Sequence, residues 1–233
     1  MDTKRSPVRG RDSSVRRLGA LLSGGAHVAT VAWKRANDWW LNIDTLTVPV
    51  ESGPNEGAMT SARGDNFAFS SVDYWDVGRI ISAAQLVPTD VVYEIGAGLG
   101  RVACAFARQN VRRVVAVELN PRLAGRIREN AARLRGRRCP LEIRCVDAVT
   151  ACIEDGTVFF LFNPFGAETL RGVLANLERS LRTSPRIVRL IYVNPLPEHA
   201  AVFAGATWLE DAGSMRTLRG LAVRLFRTRK AEA

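Results

Sequence analysis

Residues 91–101 read VVYEIGAGLGR, a mostly apolar run over 91–95 with Glu94 near its end, followed by alternating glycines. The run predicts a buried strand, because strands of a parallel sheet are covered on both faces. The glycines predict a tight turn that opens a helix and lets the backbone approach a ligand closely. A dinucleotide fingerprint requires G-x-G-x-x-G, and Arg101 stands where its third glycine would be. The spacing therefore disfavours NAD, whereas Glu94 before the turn suits a ligand with a cationic amino group.

On both sides of this stretch, strand and helix patterns alternate along the chain. Short connections between alternating β and α units are typical of a doubly wound α/β fold. The sequence therefore predicts a mostly parallel seven-stranded sheet with helices on both faces. Further strands are predicted at 113–117, 141–146, 158–162, 186–193, 207–210 and 221–226, and helices at 73–85, 100–109, 121–134, 167–181 and 197–204.

The N-terminal part differs in composition from the rest of the chain. Residues 1–16 form a basic stretch without apolar periodicity, which predicts a disordered tail. Residues 17–71 are predicted to form a helix, over 17–41, and a loop, and residues 72–233 the α/β domain. An apolar run over 18–33 is shorter than the roughly 20 residues of a spanning helix, so neither membrane association nor export is expected.

The formal net charge is +10, and residues 1–35 carry eight Lys and Arg against two Asp. This basic N-terminus permits a nucleic-acid partner but does not require one. The four cysteines lack CxxC spacing, and His27 and His199 are the only histidines, so no metal site is expected. A reduced, cytoplasmic setting is the simpler expectation, and the oligomeric state is left open.

Acidic residues also end the second and third predicted strands. Glu118, followed by Leu119, can accept hydrogen bonds from both hydroxyls of a ribose. Asp147 can accept an adenine amine while the backbone N–H of Ala148 donates to a ring nitrogen. A helix cap would explain each acid taken alone. Acidic ends on three strands of one sheet edge predict an adenosine ligand.

The fourth predicted strand runs into Asn163-Pro164-Phe165-Gly166. Ligands of open α/β sheets bind beyond the carboxyl ends of the strands, so this turn is expected to border the reacting group. The side-chain carbonyl of Asn163 can hold an N–H group while Phe165 lines the slot. The alternative is a proline-fixed turn that only starts the next helix.

Taken together, the four strand ends resemble the class I S-adenosylmethionine-dependent methyltransferases over residues 72–226. The stretches 43–45, 161–166 and 191–195 and the helix start at Tyr74 are similar to a bacterial family of small uncharacterised methyltransferases. That family is distantly similar to lysine methyltransferases that have a Rossmann-like fold instead of a SET domain. The resemblance implies a Rossmann-like methyltransferase domain with S-adenosylmethionine as cofactor. The residues expected to line its pocket are Glu94, Gly96, Ala97, Gly98, Gly100, Glu118, Leu119, Asp147, Ala148 and Asn163.

The implied reaction is in-line displacement at the sulfonium methyl, with Tyr74, Asn163 and Tyr192 as candidate acceptor contacts. No His or Cys stands at a strand end to act as a base, which favours a neutral amine as nucleophile. The Asn-Pro-Phe-Gly turn departs from the Asn-Pro-Pro-Tyr turn of many amino-methylating enzymes, which leaves nitrogen as the acceptor open. The preferred acceptor is a protein side chain or a small-molecule amine. The alternatives are an RNA methyltransferase and a non-catalytic binding protein of the same fold.

Overall fold

The computed structural model describes residues 29–47 and 71–229. The strands, numbered in chain order, are β1 (Val91–Ile95), β2 (Arg113–Glu118), β3 (Leu141–Cys145), β4 (Val158–Phe162), β5 (Arg189–Val193), β6 (Leu209–Arg216) and β7 (Ala222–Thr228). The helices are α1 (29–41), α2 (Tyr74–Ala83), α3 (Arg101–Phe106), α4 (Pro121–Arg133), α5 (Ala167–Thr183) and α6 (His199–Gly205).

All seven strands form one sheet in the order β3-β2-β1-β4-β5-β7-β6. Strands β1 to β5 are parallel, and β7 pairs antiparallel with both β5 and β6. This topology confirms the predicted doubly wound, mostly parallel seven-stranded sheet. Because the carboxyl ends of β1 to β4 meet at one edge, the turns that follow these strands lie side by side.

Helices cover both faces of the sheet. On one face, α2, α3 and α4 pack against alternate strand residues such as Val92, Val114 and Phe160. On the other face, α5 packs against the intervening residues, including Tyr93 and Phe159. The central strands are buried on both sides, which explains their continuous apolar sequences.

The largest differences from the predicted strand bounds are at the start of β5 and the end of β6. β5 begins at Arg189 rather than at 186, because pairing with β4 begins there and the preceding Val188 N–H donates to the Thr228 hydroxyl instead of to a strand carbonyl. β6 continues to Arg216, past an irregularity between Asp211 and Gly213 in its pairing with β7. The residues of β6 are mostly exposed and polar, so a hydrophobic pattern does not predict this continuation.

The N-terminal extension is held to the domain where it is described. The helix predicted over 17–41 is present over 29–41, whereas 17–28, the 1–16 tail and most of the predicted loop lie outside the described residues. Leu41 and Ile43 join the core beneath α2. The Asp44 N–H donates to the Asn130 side chain on α4 at 2.8 Å. Among residues 29–47 and 71–229, no helix has the length and apolarity to span a membrane.

Candidate active site

The glycine turn after β1 takes a conformation that side chains rarely adopt. Gly96, Gly98 and Gly100 have φ of 74°, 57° and 79°. A Cβ on Gly96 would lie 2.4 Å from the Cβ of Pro164, and one on Gly100 would lie 2.8 Å from Cγ2 of Ile127. The glycines are therefore required by backbone conformation and by close contact with α4 and with the turn after β4.

Glu118 lies against the glycine turn, as its predicted role requires. Its carboxylate accepts hydrogen bonds from the N–H of Gly98 at 2.7 Å and of Asn120 at 2.9 Å. Burial raises its pKa, and these backbone hydrogen bonds oppose the rise. The strand end of β2 thus places an oriented carboxylate directly beside the turn that follows β1.

Glu94, the last polar residue of β1, is 5% exposed. Its carboxylate accepts a hydrogen bond from the Ala103 N–H, in the first turn of α3, at 2.6 Å. Burial raises the pKa of Glu94 well above its ordinary value, and the negative charge of Glu118 raises it further. A cation bound here would favour the ionised carboxylate, which fits the amino group of S-adenosylmethionine.

The end of β3 lies beside the end of β2, because the Val146 N–H donates to the Glu118 carbonyl at 3.2 Å. Asp147 is half-buried, and its carboxylate accepts from the Val149 N–H at 2.9 Å. Ala148, which follows Asp147 in sequence, is also half-buried, and so is Leu119, which follows the neighbouring strand β2. Asp147 stabilises a local turn and caps no helix, because β3 is followed by β4 without a helix between them, and an adenine contact stays a prediction.

Asn163 ends β4 with a positive φ of 38°. Its Oδ1 is buried and has no hydrogen-bond partner among the described residues. Pro164, which follows it, is the residue that touches the glycine turn. Phe165 is 4% exposed and packs in the core with α5, so it does not line an open slot. An unpartnered carbonyl oxygen therefore lies next to the turn expected to hold the cofactor.

The structure separates the two candidate tyrosines. Tyr74, at the start of α2, donates its hydroxyl to Asp38, and the Arg101 guanidinium lies over its ring at 4.8 Å. Burial and the contact with Asp38 raise the Tyr74 pKa. Tyr192 is 0% exposed, with its hydroxyl 3.1 Å from Nδ1 of His199 in α6. Tyr74 thus adjoins the glycine turn through Arg101, whereas an acceptor could reach Tyr192 only by displacing the helix that covers it.

Sequence reasoning missed a buried network that ties the N-terminal segment to this site. Arg101 follows the glycine turn and is 2% exposed. Its Nε donates to the Thr45 hydroxyl at 2.8 Å, and one terminal nitrogen donates to the Val72 carbonyl at 3.1 Å. The Thr45 hydroxyl in turn contacts Asp38 at 2.9 Å. The partners lie too far apart in sequence for any periodic pattern to connect them.

A cavity of about 260 Å³ opens at the same edge of the sheet. It is bounded by Val72, Arg101, Phe162 and Leu221, with Lys34 of α1 at its rim. Phe162 is the last residue of β4, so the cavity lies where this strand runs into the Asn163 turn. The space is therefore placed to admit an acceptor to the end of β4.

Comparison with known proteins finds sequence relatives for part of this chain. A family model described as ribosomal RNA adenine dimethylase matches residues 72–147. Ribosomal RNA small subunit methyltransferase A from Thermobifida fusca is 48% identical over 65 residues, 28% of this chain and 21% of that protein. The protein of the same name from Kineococcus radiotolerans is 43% identical over 91 residues, 39% of this chain and 29% of the relative. The matches thus span less than a third of these relatives.

Solved structures agree on the fold. An RNA methyltransferase from Salinibacter ruber, in complex with S-adenosyl-L-homocysteine, has a TM-score of 0.51 and 23% identity, covering 70% of this chain and 97% of that one. A ribosomal protein L11 methylase from Lactobacillus delbrueckii subsp. bulgaricus has a TM-score of 0.53 and 19% identity, covering 69% of this chain and 81% of the other. At these identities the likeness shows the fold alone.

The chain has the fold of the class I S-adenosylmethionine-dependent methyltransferases, which confirms the predicted fold class. Within that class, the segment from 72 to 147 is similar to the ribosomal RNA adenine dimethylases. The preference for a protein side chain or a small-molecule amine as acceptor is wrong, because the matching family and relatives are named for ribosomal RNA. RNA, which the sequence kept as the alternative, is the better supported acceptor.

Proposed function

We propose that the protein is an S-adenosylmethionine-dependent RNA methyltransferase that modifies an amino group of a base. The observation that carries this proposal is the buried, unpartnered Oδ1 of Asn163 at the end of β4. A buried carbonyl oxygen without a partner costs stability, so a ligand N–H that completes it fits the site well. The similarity of 72–147 to ribosomal RNA adenine dimethylases supports adenine as the base.

The residues at the strand ends fit the cofactor. The glycine turn holds its backbone at positive φ beside the acidic strand ends, and Glu118 presents a carboxylate suited to ribose hydroxyls. Glu94 is a buried carboxyl that a cationic amino group would stabilise in its ionised form. When bound there, S-adenosylmethionine supplies an electrophilic methyl group on a sulfonium.

The chain's own contribution to the reaction is to orient the acceptor. Oδ1 of Asn163 accepts one N–H of the base amine, which fixes the direction of the nitrogen lone pair. The same carbonyl dipole stabilises the positive charge that develops on nitrogen as the bond to the methyl forms. A base amine is neutral at physiological pH, so no side chain has to remove a proton before attack. This accounts for a site whose strand ends carry no histidine.

RNA as the acceptor also agrees with the charge of the protein. The formal net charge is +10, and most of the exposed charge on the α4–β3 connection is arginine. A polyanionic substrate would be attracted to such a surface, whereas a cationic lysine side chain would not. The family match to residues 72–147 ends before β4, so the Asn163 turn and this charge support the RNA acceptor independently of that match.

A labelling experiment tests the proposal. The purified protein is incubated with methyl-tritiated S-adenosylmethionine and separate RNA and protein fractions of a bacterial extract. We expect label in RNA that ribonuclease releases, recovered as methylated adenosine in the digested nucleosides. The Asn163→Ala variant is the matched control and should transfer much less label. Label found only in the protein fraction and removed by protease would contradict the proposal.

A further inference from the structure

Four tryptophans are exposed on one side of the molecule, along α1 and at the start of α2. Trp33, Trp39, Trp40 and Trp75 are 42%, 75%, 54% and 59% exposed. Trp33 and Trp75 stack on each other with ring centroids 4.9 Å apart. Large aromatic rings are normally buried, so a group of exposed ones marks a surface that contacts something else.

Arginine side chains lie against the tryptophans at the end of α1. The Arg108 guanidinium lies 4.6 Å from the ring centroid of Trp40, and that of Arg135 lies 6.0 Å from Trp39. The Arg135 N–H donates to the Leu41 carbonyl at 2.9 Å, which joins the α4–β3 connection to the end of α1. The aromatic rings and the positive charges therefore belong to one continuous surface.

A cavity of about 380 Å³ lies within this surface, bounded by Arg35, Trp39, Arg133 and Arg135. Among residues 29–47 and 71–229, no carboxylate forms an ion pair with any of these three arginines. Arg133 donates one hydrogen bond to the Asn130 side chain and Arg135 one to the Trp40 carbonyl, so each guanidinium keeps further N–H donors and a charge that no described carboxylate pairs with.

Two carboxylates do line the same cavity, and both are already engaged. Asp38 accepts from the Thr45 N–H at 2.7 Å and from the Tyr74 hydroxyl. Asp44 pairs with Arg126 at 2.8 Å. Their charge is partly offset within the protein, which leaves the exposed side of the cavity to the arginines.

We propose that this α1 surface, defined by Trp33, Trp39, Trp40, Arg133 and Arg135, docks a single-stranded RNA segment. Bases would stack on the exposed indoles while the guanidinium groups contact the phosphates. The inference deepens the proposed function and rests on it, because it assigns the surface that holds the RNA substrate. Stacking on an indole tolerates any base, so this surface would supply affinity and position rather than sequence recognition.

The position of α1 suits this role. Its Trp33 end adjoins the start of α2, and its neighbour Lys34 lies at the rim of the cavity that Phe162 borders. Its other end contacts the α4–β3 connection. Because α4 begins after β2, at the carboxyl edge of the sheet, its far end and this connection lie at the opposite edge from the site. A strand laid along α1 would therefore have one end at the acceptor cavity.

The same surface is less suited to a lipid bilayer. A helix that lies in a membrane interface carries tryptophan, phenylalanine or leucine on one continuous face and its cations on the other. In the described part of α1, no leucine or phenylalanine is exposed, and Arg108 and Arg135 lie directly against the rings of Trp40 and Trp39. Interleaved rings and cations are typical of single-stranded nucleic-acid sites.

RNA binding is measured by fluorescence anisotropy of a labelled, unstructured 20-nucleotide RNA, with S-adenosylhomocysteine present. The Trp39→Ala/Trp40→Ala double variant should bind roughly five- to a hundredfold more weakly, the range that base stacking on an aromatic ring contributes. The Arg133→Ala/Arg135→Ala variant should also bind more weakly. Its plot of log affinity against log salt should be shallower by roughly 0.7 for each phosphate that an arginine no longer neutralises.

Matched controls lie on the other side of the sheet or at its far edge. Ile187→Ala removes an exposed apolar side chain and Arg182→Ala removes an exposed charge, and both should bind RNA like the wild type. Unchanged melting temperatures and S-adenosylhomocysteine affinities show that the variants are folded. Wild-type RNA affinity in both double variants overturns the inference. Loss of binding to anionic lipid vesicles in the tryptophan variant, with RNA binding intact, also overturns it.

The Asn163→Ala variant separates this inference from the proposed function. It should lose methyl transfer far more than RNA affinity, because it removes one contact with the base and leaves the α1 surface intact. If the wild type binds RNA through the tryptophans but methylates no RNA, the proposed function fails and the docking surface stands. If the wild type methylates RNA and both double variants do so equally well, the docking surface fails and the function stands.

Discussion

Two neighbouring strands, β4 and β5, end in the same dipeptide, and only one of these ends belongs to the site. Asn163-Pro164 follows β4 and Asn194-Pro195 follows β5, and the two asparagines have φ of 38° and 55°. Asparagine tolerates this left-handed conformation better than most residues. The conformation is therefore a general way to leave a strand, and by itself says nothing about function.

The surroundings of the two turns distinguish them. The β4 turn packs on the glycine turn through Pro164, and Asn163 keeps an unpartnered oxygen. In the β5 turn the Asn194 N–H donates to the Ala222 carbonyl at 2.7 Å, which joins β5 to the start of β7. The ends of β1 to β4 thus build a site, while the end of β5 anchors the antiparallel strands. Each prediction below tests this division.

The largest difference is expected between Asn163→Ala and Asn194→Ala. Loss of the Asn163 oxygen should lower turnover by roughly ten- to a thousandfold, as loss of a positioned transition-state hydrogen bond does. Alanine at positive φ costs about 1–2 kcal/mol at either position, so the loss of stability should be similar in the two variants. Turnover, cofactor affinity and melting temperature are measured on both.

Asn194→Ala is the control, and its turnover should match the wild type. If both variants lose turnover equally, the two turns share a structural role and the Asn163 oxygen has none in catalysis. Loss of cofactor affinity in Asn163→Ala to the same degree as turnover would point to the same conclusion.

The next largest effect is expected for Glu118→Ala. Removing the carboxylate proposed to bind the ribose hydroxyls should weaken cofactor binding by about 1–3 kcal/mol, or roughly five- to 150-fold in dissociation constant. Titration calorimetry with S-adenosylhomocysteine measures this. Glu210→Ala removes a carboxylate of β6 that pairs with Arg227, on the anchoring side of the sheet, and should leave affinity unchanged. Equal affinity in the two variants would place Glu118 outside the cofactor pocket.

The fold was predictable where one segment carries its own signal. The bounds of β1 and β4 were predicted to the residue, because each is a continuous apolar run with a turn at its end. β6 is an exposed strand with a pairing irregularity near Gly213, so its C-terminal half carries no hydrophobic pattern. Its extent depends on pairing with β7, which follows it in sequence.

The site was predictable to the same extent. The acidic and glycine-rich strand ends are local motifs, and the parallel order of β1 to β4 brings them together. The contact of Arg101 with Thr45 joins segments far apart in sequence, and no local motif predicts it. The exposure of tryptophans such as Trp39 was equally unpredictable, because a sequence pattern does not show which way an aromatic ring faces.

A smaller effect is expected for Glu94→Gln, seen in the pH dependence of stability. Burial raises the pKa of Glu94 well above 4.5, so without cofactor the folded protein keeps this proton to higher pH than the unfolded chain. The stabilisation from protonated Glu94 is fully present below the pKa of Glu94 in the unfolded chain, and it is lost as pH rises through its pKa in the folded protein. Melting temperature without cofactor should therefore decline as pH rises through this interval, and Glu94→Gln should reduce the decline.

Burial also raises the pKa of Glu118, so part of the decline in melting temperature with pH should remain in the Glu94→Gln variant. A cationic amino group would favour ionised Glu94, so wild-type affinity for S-adenosylhomocysteine should increase with pH over the same interval, with release of a proton. Glu178→Gln, on the solvent face of α5, controls for the loss of any carboxylate. A wild-type decline that is unchanged in Glu94→Gln would contradict the assignment to Glu94.

The smallest effect is expected for Tyr192→Phe, on the anchoring side of the sheet. The sequence makes Tyr192 a candidate acceptor contact, but its strand alternates so that Ile191 and Val193 face α2 and α3 while Tyr192 faces α6. Its hydroxyl contacts Nδ1 of His199, and burial raises its pKa, so it stays protonated at physiological pH. The tyrosine is therefore expected to support packing and to take no part in methyl transfer.

Removing this hydroxyl should cost about 0.5–1.5 kcal/mol of stability, the net value of one hydrogen bond. The low end is favoured because the Leu196 N–H also donates to Nδ1 of His199 at 3.1 Å and remains in the variant. For a domain of this size the melting temperature should fall by roughly 2–4 °C per kcal/mol. Turnover and cofactor affinity should equal those of the wild type. A stable Tyr192→Phe protein with turnover reduced tenfold or more would move the end of β5 into the site and remove the distinction between the two Asn-Pro turns.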